Sequence, residues 1–214
     1  MLSVRCKNRT LLSDVDYMSL LQLRHKVFRE RLKWDVKSEN SHESDEYDTQ
    51  ETQYLYVKDD IGNLFGCWRI LPTTGTYMLK DTFNQCLGEE KAPESPTIYE
   101  LSRFAVDKTL SSGSHFTPGK ITMEMFRAVY KYAVYNRIDY YVTVTSVGIE
   151  KLLKRIGLPH ERIGDKQVHM LGNTRSVVLL IPINEQFRDS VGLNTIDIRQ
   201  NFVFEANTLE VEAA

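Results

Sequence analysis

The sequence predicts a single α/β domain in which a mixed sheet is flanked by helices. Three observations support this fold class. Runs rich in β-branched and aromatic residues, which are typical of strands, alternate with segments of helical periodicity. One pair of such runs is separated by a short stretch of turn residues, as in a hairpin. The chain has 214 residues, 42% of them hydrophobic, which is enough to bury the core of one domain or at most two small ones.

The N-terminal part of the chain predicts a helix, a loop and a hairpin. From Asp14 onward, apolar residues recur at near-helical spacing with charged residues between them, which predicts an amphipathic helix. Residues 37–52 are polar and acidic without apolar periodicity, so we expect a loop there. The runs at 54–57 and 64–71 are separated by turn residues and predict the two strands of the hairpin.

The rest of the chain predicts alternating helices and strands. We expect a short helix within residues 77–90 and a strand at 98–106. The later predicted elements are a helix at 121–135, a strand at 140–145, a helix at 148–156 closed by Gly157, and strands at 167–171 and 175–183. We assign residues 1–188 to the domain. We expect residues 189–214, which have little periodicity and an acidic end, to form a mobile extension.

Composition and cysteine spacing exclude several classes of protein. The formal net charge of -2 gives no overall electrostatic preference for nucleic acid. The 3 cysteines are widely spaced and contain no CxxC pair, so we expect free thiols and neither a disulfide framework nor a metal site. No stretch approaches the about 20 apolar residues that a membrane span requires. We therefore expect a soluble, cytoplasmic protein with no membrane or nucleic-acid partner.

Two charged residues lie inside an apolar, strand-like run. This run, from Ile98 to Val106, contains Glu100 and Arg103 among apolar neighbours. A charge in such surroundings must find a partner, or its perturbed state can be used for chemistry. The sequence therefore predicts a charged reaction centre at this strand.

The residues upstream of this strand have an order and spacing that resemble a known family. Arg24, Phe28 and Trp34 are followed by Glu43-Ser-Asp45-Glu-Tyr-Asp48 and then by Gly66-Cys-Trp-Arg69-Ile-Leu-Pro72. The pattern resembles the acyl-homoserine lactone synthases, which are the LuxI-type autoinducer synthases, over roughly residues 20–185. The family motif is matched without substitution at Arg24, Phe28, Trp34, Asp45, Asp48, Arg69, Glu100 and Arg103.

The resemblance implies a fold and a reaction. The family core is similar to that of the N-acetyltransferases, the GNAT-like fold. The family joins the α-amine of S-adenosylmethionine to an acyl group carried as a thioester on acyl carrier protein. The methionine carboxylate then displaces methylthioadenosine and closes the lactone. S-adenosylmethionine is a substrate here, so no cofactor is expected. The strand ending at Val106 is not followed by the glycine-rich phosphate-binding loop of ordinary acetyltransferases, which favours a carrier protein over coenzyme A as the donor.

The resemblance also assigns roles to the motif residues. Glu100 is the candidate general base, acting directly or through a water, because apolar neighbours can raise the proton affinity of a carboxylate. The predicted catalytic residues are Glu100, Arg103 and Asp45, and the predicted S-adenosylmethionine-binding residues are Arg24, Phe28, Trp34, Asp48 and Arg69. Each has an alternative role that the sequence leaves open. Glu100 could instead pair with Arg69 or Arg103 in a buried ionic network, and the aromatic residues could be ordinary core.

Two further groups of residues are predicted to bind the acyl donor. The acyl pocket is predicted to contain Ser102, Phe126, Val129, Thr143, Thr145 and Ser146. Thr143 matches a family position where threonine often accompanies 3-oxo chains, although packing explains it equally well, and we expect a chain of about six to eight carbons. Lys151, Lys154 and Arg155 lie on one helical face and match the family's carrier-contacting residues, although such a face is often merely solvated.

Two other functions remain open from the sequence. One is a noncatalytic module that binds S-adenosylmethionine or an acyl lipid, and such a module would not need an ionised Glu100. The other is an acetyl-CoA-dependent N-acetyltransferase, which would be expected to have the glycine-rich loop that is missing after Val106. The synthase is the reading that the motif favours.

Overall fold

The structure is a computed structural model that describes residues 2–109 and 117–194, together with the backbone of residues 203–205 and 208–212. The chain divides into two units. The first contains Met1–Arg69, Arg103–Val129 and Thr195–Ala214, and the second contains Ile70–Ser102 and Tyr130–Asn194. Helices and strands alternate along the chain, which confirms the predicted α/β class.

The elements up to the first unit boundary are a strand, a helix and two hairpins. They are β1 (Leu2–Asn8), a 3-10 turn at Arg9–Leu11, α1 (Asp14–Arg24) with a π-helical continuation at His25–Arg31, β2 (Ser38–Glu39), β3 (His42–Glu43), β4 (Gln53–Asp59) and β5 (Leu64–Pro72).

The elements after this boundary are α2 (Met78–Asp81), a 3-10 turn at Asn84–Leu87, β6 (Ile98–Val106), α3 (Pro118–Asn136), β7 (Tyr140–Ser146), α4 (Val147–Ile156), β8 (Glu161–Arg162), β9 (His169–Leu171), β10 (Thr174–Pro182) and α5 (Glu185–Ser190). Two strands described by their backbone, β11 (Val203–Glu205) and β12 (Thr208–Glu212), follow. Strands β5 and β6 and helix α3 each run from one unit into the other.

The sheet contains both parallel and antiparallel pairs. In the first unit the strand order is β11-β12-β1-β4-β5, and β1 is antiparallel to both β12 and β4. In the second unit the order is β6-β7-β10-β8, and β9 also pairs with β10. β6 and β7 are parallel, whereas β7 and β10 are antiparallel, so the sheet is mixed as predicted. β2 and β3 form a separate two-stranded hairpin.

Helix α1 is capped at its start and changes geometry at its end. The Ser13 hydroxyl accepts a hydrogen bond from the Asp16 N–H at 3.1 Å, which satisfies a free donor of the first turn. The helix buries Leu20, Leu21 and Leu23, and the backbone then widens into the π-helical segment that starts at His25. Such segments are rare and often occur at functional sites.

Close packing of β5 and α3 explains the glycine of the Gly66-Cys-Trp motif. A Cβ added at Gly66 would lie 2.7 Å from Met125 Sδ and 3.2 Å from a methyl carbon of Ile121. These distances are shorter than van der Waals contact, so with a larger residue the side chains of Met125 and Ile121 would have to shift. The glycine thus allows side chains of α3 to pack directly on β5.

The structure confirms most predicted elements and adds several. The predicted hairpin, the strand at 98–106, the helix at 121–135 and the helix closed by Gly157, which has a φ of +75°, are all present. The sequence analysis does not predict β1, β8 or α5, and the predicted loop at 37–52 contains the hairpin β2–β3. β1 carries a readable signal, because Leu2, Val4 and Cys6 alternate with less buried residues.

The predicted extension falls partly outside the described residues. Its boundary at residue 188 lies within α5, and the predicted mobility of residues 189–214 stays a prediction. Within residues 2–109 and 117–194, we find no helix whose length and apolar character would let it cross a bilayer.

All three cysteines are buried and carry free thiols. Burial raises the pKa of the Cys67 thiol to about 12, and it also raises the pKa of Cys6 and of Cys86 above the usual thiol value. Because the thiolate is the nucleophilic form, these residues are unreactive in the folded protein.

Candidate active site

A group of charged side chains lies at the heart of the first unit. We call it the ionic cluster, and its members are Arg24, Glu43, Asp45, Asp48, Arg69 and Arg103. Arg24 is the last residue of α1, Glu43 the last of β3, and Arg69 and Arg103 lie on β5 and β6. The sequence motif therefore brings together side chains from four separate elements, as predicted for its five members other than Glu43.

Arg24 binds two carboxylates at once. Its Nη1 and Nη2 donate to the two Asp48 oxygens at 2.7 and 2.9 Å, which is the bidentate geometry that a guanidinium forms with a carboxylate. Its Nε donates to Glu43 Oε2. Arg24 thus fixes the orientation of both acids.

Arg69 and Arg103 complete the network from the strands. Arg69 binds both oxygens of Asp45, with Nη2 to Oδ2 at 3.1 Å, and its Nη1 also donates to Asp48 Oδ1 at 3.0 Å. Arg103 donates from Nε to Glu43 Oε1 at 3.1 Å and from Nη2 to Asp45 Oδ2 at 2.6 Å. Each arginine therefore binds at least two carboxylates, and each carboxylate binds at least two arginines.

Most of the ionic cluster is out of reach of solvent. The side chains of Arg24 and Arg69 are 1% and 0% exposed, whereas those of Asp45 and Arg103 are each 10% exposed. Asp45 and Arg103 therefore lie at the accessible edge. With three guanidinium groups and three carboxylates the cluster is formally neutral, which is the condition under which buried charges are tolerated.

The electrostatics of the ionic cluster keep its members charged. Burial opposes ionisation of Asp48, but the charges of Arg24 and Arg69 outweigh it, and the pKa of Asp48 is held well below its usual range. Burial likewise opposes the charged form of Arg24, and Asp48 and Glu43 nevertheless raise its pKa above the usual value. The ion pairs are therefore present throughout the neutral pH range.

Local hydrogen bonds order the segment that carries the two aspartates. The Asp45 N–H donates to Asp48 Oδ2 at 2.9 Å, and the Tyr47 N–H donates to Asp45 Oδ1 at 3.0 Å. The Tyr54 hydroxyl donates to Asp48 Oδ1 at 2.8 Å. Short polar side chains that bond nearby backbone in this way stabilise a turn, so the acidic segment is ordered rather than a flexible linker.

Arg103 has a strained backbone. Its φ is +58°, in the left-handed region, although it is a non-glycine residue inside β6. Such a conformation costs free energy and persists only where surrounding contacts hold it. Its bonds to Glu43 and Asp45 supply those contacts.

Phe28 and Trp34 form an aromatic pair next to the ionic cluster. Their rings are stacked, with centroids 5.0 Å apart and planes at 15°. The Arg103 guanidinium carbon lies 5.6 Å from the centroid of the Phe28 ring, within cation–π range. Phe28 is buried and Trp34 is half-buried, so Phe28 is also part of the hydrophobic core, and Trp34 presents the accessible part of the pair.

Glu100 lies in the second unit, where it binds the start of α2. The residue is 1% exposed, and its oxygens accept hydrogen bonds from the N–H groups of Met78 at 3.0 Å and Leu79 at 2.7 Å. These bonds satisfy two of the free N–H groups in the first turn of α2. The sequence analysis does not predict these two partners. Every residue except proline has a backbone N–H, so residue types do not indicate which N–H groups bind a side chain.

The predicted acyl-pocket residues have different surroundings. Phe126 is buried in the first unit against Trp68 and Phe104, at centroid distances of 5.6 and 6.2 Å, and Val129 is buried on the same helix. In the second unit Thr143 is buried on β7 opposite Leu179. Thr145 and Ser102 are half-buried.

Ser146 has a structural role that the sequence analysis does not predict. Its hydroxyl accepts from the Ile149 N–H at 3.3 Å and caps α4. Successive side chains of a strand alternate between its faces, so Thr143 and Thr145 share a face that Ser146 does not. Assignment of Ser146 to the acyl pocket stays a prediction.

The three predicted docking cations are exposed on α4. Lys151, Lys154 and Arg155 are all exposed, and Lys154 lies 3.4 Å from Glu150. Arg162 binds both Glu150 oxygens at 2.8 and 2.7 Å. Arg162 adds a cation near this face that the sequence analysis does not include.

Glu43 is the member of the ionic cluster that the sequence analysis leaves without a role. It is fully buried and bridges Arg24 to Arg103. A charge count gives the missing signal: Asp45 and Asp48 supply two negative charges for three motif arginines. A third carboxylate is needed to balance a buried group.

Comparison with known proteins finds a family model and several relatives that match most of the chain. A family model described as "Autoinducer synthase" matches residues 8–191. A protein of Vibrio anguillarum named acyl-homoserine-lactone synthase is 56% identical over 178 residues, which covers 83% of this chain and 92% of that protein.

Two solved structures are also similar to this chain over most of its length. The AHL synthase LasI is 38% identical with a TM-score of 0.82, covering 90% of this chain and 95% of that one. TofI, solved in a ternary complex with an inhibitor and MTA, is 28% identical with a TM-score of 0.77, covering 90% and 98%.

Two more distant structures support the fold alone. BjaI, described as a CoA-dependent acyl-homoserine lactone synthase with SAM and isopentyl-CoA, is 20% identical with a TM-score of 0.78 and covers 92% of each chain. An acyl-CoA N-acyltransferase from Pseudomonas aeruginosa is 15% identical with a TM-score of 0.58, covering 85% of this chain and 99% of that one. These likenesses agree with the predicted GNAT-like fold.

Proposed function

This chain belongs to the autoinducer synthase family, and from that premise we propose that it acylates S-adenosylmethionine with an acyl group delivered by acyl carrier protein and then closes the lactone. Curated relatives are named acyl-homoserine-lactone synthases, so the chain is an acyltransferase of this class. The donor, the use of S-adenosylmethionine and the acyl chain are the parts that we propose. S-adenosylmethionine is consumed as a substrate, and we propose no separate cofactor.

The observation that carries the proposal is the composition of the accessible edge of the ionic cluster. S-adenosylmethionine has a carboxylate, an α-ammonium and a sulfonium, so its site needs both a cation and an anion. Arg103 and Asp45 are the more exposed members, one of each charge. In our proposal Arg103 binds the methionyl carboxylate with its planar fork, and Asp45 compensates the positive charges.

The aromatic pair supports the same substrate. A sulfonium is attracted to the face of an aromatic ring, and Trp34 is the accessible ring of the Phe28–Trp34 stack. The buried members, Arg24, Asp48 and Arg69, are then positioning groups that hold Asp45 in place. The complex of TofI with MTA adds support, because MTA is the expected by-product of lactone closure.

Glu100 is our proposed general base. The α-amine must lose a proton before it attacks the thioester carbonyl, and an ionised carboxylate can accept that proton directly or through a water. The carboxylate of Glu100 accepts hydrogen bonds from the N–H groups of Met78 and Leu79. Those same bonds hold the carboxylate in one orientation.

The exposed cations of α4 support a carrier protein as the donor. Carrier proteins are strongly acidic, and a basic face on the enzyme would attract one. Lys151, Lys154 and Arg155 provide this face although the chain as a whole has a net charge of -2. Coenzyme A is the competing donor, because BjaI, which shares the fold, is described as CoA-dependent, and the experiment therefore includes both thioesters.

We propose that Thr143 selects 3-oxo acyl chains. Its hydroxyl can donate a hydrogen bond to the 3-oxo group, worth about 0.5–1.5 kcal/mol, which corresponds to about a 2- to 12-fold preference. Thr143→Val keeps the shape and removes the donor, so we expect the ratio of 3-oxo to unsubstituted products to fall by that factor. Competition between two labelled donors measures this ratio, and an unchanged ratio would assign Thr143 to packing.

One incubation tests the proposed reaction. Purified protein is mixed with S-adenosylmethionine and a panel of 3-oxo and unsubstituted acyl groups, each supplied on acyl carrier protein and on coenzyme A. Mass spectrometry identifies the products. Glu100→Gln is the matched control, since it removes the base with little change of shape.

The expected product is an acyl-homoserine lactone with methylthioadenosine, formed from the carrier-bound donors. Formation from coenzyme A thioesters alone would overturn the proposed donor. An acylated amine without methylthioadenosine would remove the lactonisation step. No product with any donor would favour a binding module.

A further inference from the structure

The hairpin β2–β3 presents Glu43 to the ionic cluster but has little stability of its own. Each strand has two residues, with Ser38 opposite Glu43 and Glu39 opposite His42. Its two turn residues, Asn40 and Ser41, have φ of 48° and 62°. A two-residue turn of this type prefers glycine at the second position, so Ser41 is strained. Isolated two-stranded hairpins are marginal in water, and this one therefore needs contacts from outside.

Consecutive residues of the first unit supply two such contacts. Arg24 donates to Glu43, and the next residue, His25, places its Nδ1 within hydrogen-bond distance of Ser38 Oγ. Directly opposite residues of an antiparallel pair lie on the same face, so Ser38 and Glu43 both point to the helix end that carries these two side chains. His25 is the first residue of the π-helical segment.

The hydrogens available on the two side chains determine which one is the donor in the contact between His25 and Ser38. The Ser38 hydroxyl has one hydrogen, which it donates to the carbonyl of His42 at 3.1 Å. Its oxygen must therefore accept from His25, which makes Nδ1 the donor. On the other side of the ring, Nε2 lies 3.3 Å from a Glu30 oxygen whose side chain is mostly exposed.

We propose that His25 is a positioning residue for the S-adenosylmethionine site, which holds Glu43 in place through the hydrogen bond from its Nδ1 to Ser38. The role in substrate binding rests on the function proposed above, whereas the hold on the hairpin does not. A hairpin free to open would release Glu43 from Arg24 and Arg103. Arg103, at the accessible edge, would then lose one of its two carboxylates.

A pair of amide substitutions separates the two sides of the ring. His25→Asn places an N–H donor near the position of Nδ1, whereas His25→Gln places it near Nε2. At the other end of the bond, Ser38→Thr keeps the hydroxyl and Ser38→Ala removes it. His169→Asn, at a half-buried histidine of the second unit that pairs with Asp165, is the control for loss of a histidine.

Two measurements test the proposal. In His25→Gln and Ser38→Ala we expect the KM for S-adenosylmethionine to rise about 3- to 10-fold, the size expected for one lost hydrogen bond, with the KM for the acyl donor unchanged. Amide hydrogen exchange of residues 38–43, measured without substrate, should accelerate by a similar factor of about 3 to 10 in the same variants. His25→Asn, Ser38→Thr and His169→Asn should remain near wild type in both.

Equal behaviour of His25→Asn and His25→Gln would overturn the proposal, because the Nδ1 bond would then be irrelevant. Unchanged exchange of residues 38–43 in Ser38→Ala would overturn it as well. If the wild type makes no product, the function proposed above fails, and the exchange measurement still decides whether His25 holds the hairpin.

Discussion

At the scale of single residues, the site depends on arginines that cannot be exchanged for another cation. Arg24 binds Asp48 through two parallel hydrogen bonds and Glu43 through a third. Lysine has one compact ammonium and cannot reproduce the planar fork. The sequence alone identifies Arg24, Arg69 and Arg103 as cluster members, but which acid each one binds depends on atomic positions that no spacing rule provides.

Arg24→Lys should therefore impair catalysis despite keeping the charge. Losing a charged hydrogen bond costs about 1.5–3 kcal/mol, so we expect kcat/KM for S-adenosylmethionine to fall about 10- to 150-fold. Steady-state kinetics measures this, with circular dichroism to verify folding. Arg188→Lys, at a more exposed arginine of α5, is the control and should behave as wild type. Wild-type kinetics for Arg24→Lys would contradict the need for the fork.

Asp48 should contribute stability that depends on pH. Its pKa is depressed in the folded protein by Arg24 and Arg69, against the effect of burial. A carboxylate with a depressed folded pKa stabilises the protein above its unfolded pKa, near 3.9, and this stabilisation shrinks as the pH falls toward the folded pKa. The stabilisation is thus complete at neutral pH.

Asp48→Asn tests this dependence. We expect its free energy of unfolding at pH 7 to be lower than that of the wild type by about 3 kcal/mol, because two buried arginines lose a partner. This difference in unfolding free energy between the two proteins should be constant from pH 5 to 8 and should narrow below about pH 4. Urea unfolding at several pH values measures it. Asp35→Asn, at an exposed aspartate, should show no such gap. A gap that does not change with pH would contradict the assignment.

At the scale of elements, periodicity predicts strands and helices well, whereas short pieces held by tertiary contacts escape it. The helix at 121–135 and the strand at 98–106 have the apolar spacing of their structures, and both are present. β2 and β3 have two residues each, too few for any period to be read. The sequence also does not indicate the π-helical segment after Arg24, because its residues follow the same apolar spacing as an α-helix.

Helix α4 provides a prediction about partner binding. The double charge reversal Lys151→Glu, Lys154→Glu replaces two exposed cations of one helical face. We expect the KM for acyl carrier protein thioesters to rise about 10-fold at low salt, since exposed charges steer an acidic partner, while saturation by S-adenosylmethionine stays unchanged. Initial rates with each substrate varied in turn measure both constants.

A second double variant separates the effect of the α4 face from the effect of the net charge. Lys91→Glu, Lys120→Glu changes the total charge by the same amount at exposed lysines outside α4. This variant should keep wild-type constants. Equal losses for both substrates in the α4 variant, or for the carrier in both double variants, would count against docking on α4.

At the scale of the whole molecule, the sequence predicts the class, the longer strands from β4 onward and the motif cluster, but not the division into two units. Three of the four boundaries fall inside β5, β6 and α3. A boundary within continuous elements leaves no linker-like composition to read. The β1 strand is a different case, because the alternation of Leu2, Val4 and Cys6 is present in the sequence but is not used in the prediction.

Truncation tests how much of the chain the reaction needs. The family match ends at residue 191, so removing residues 195–214, which include β11 and β12, should leave kcat within about twofold of wild type. Truncation after Pro182 removes α5 with Phe187, which is buried against Tyr130 at a centroid distance of 5.2 Å. Loss of a buried phenylalanine costs about 3–5 kcal/mol, so this shorter form should fail to fold. Loss of activity in the first truncation would show that the extension takes part in catalysis.

The buried thiols can be used to follow how the protein unfolds. Cys6 and Cys67 lie in the first unit and Cys86 in the second, and all three are shielded from solvent. A thiol reagent can modify each one only when its surroundings open, so the labelling rate of each site measures a local opening free energy. Equal rates at Cys67 and Cys86 would mean that both units melt in one cooperative step. Unequal rates would show which unit has the larger opening free energy, and no probe would have to be introduced.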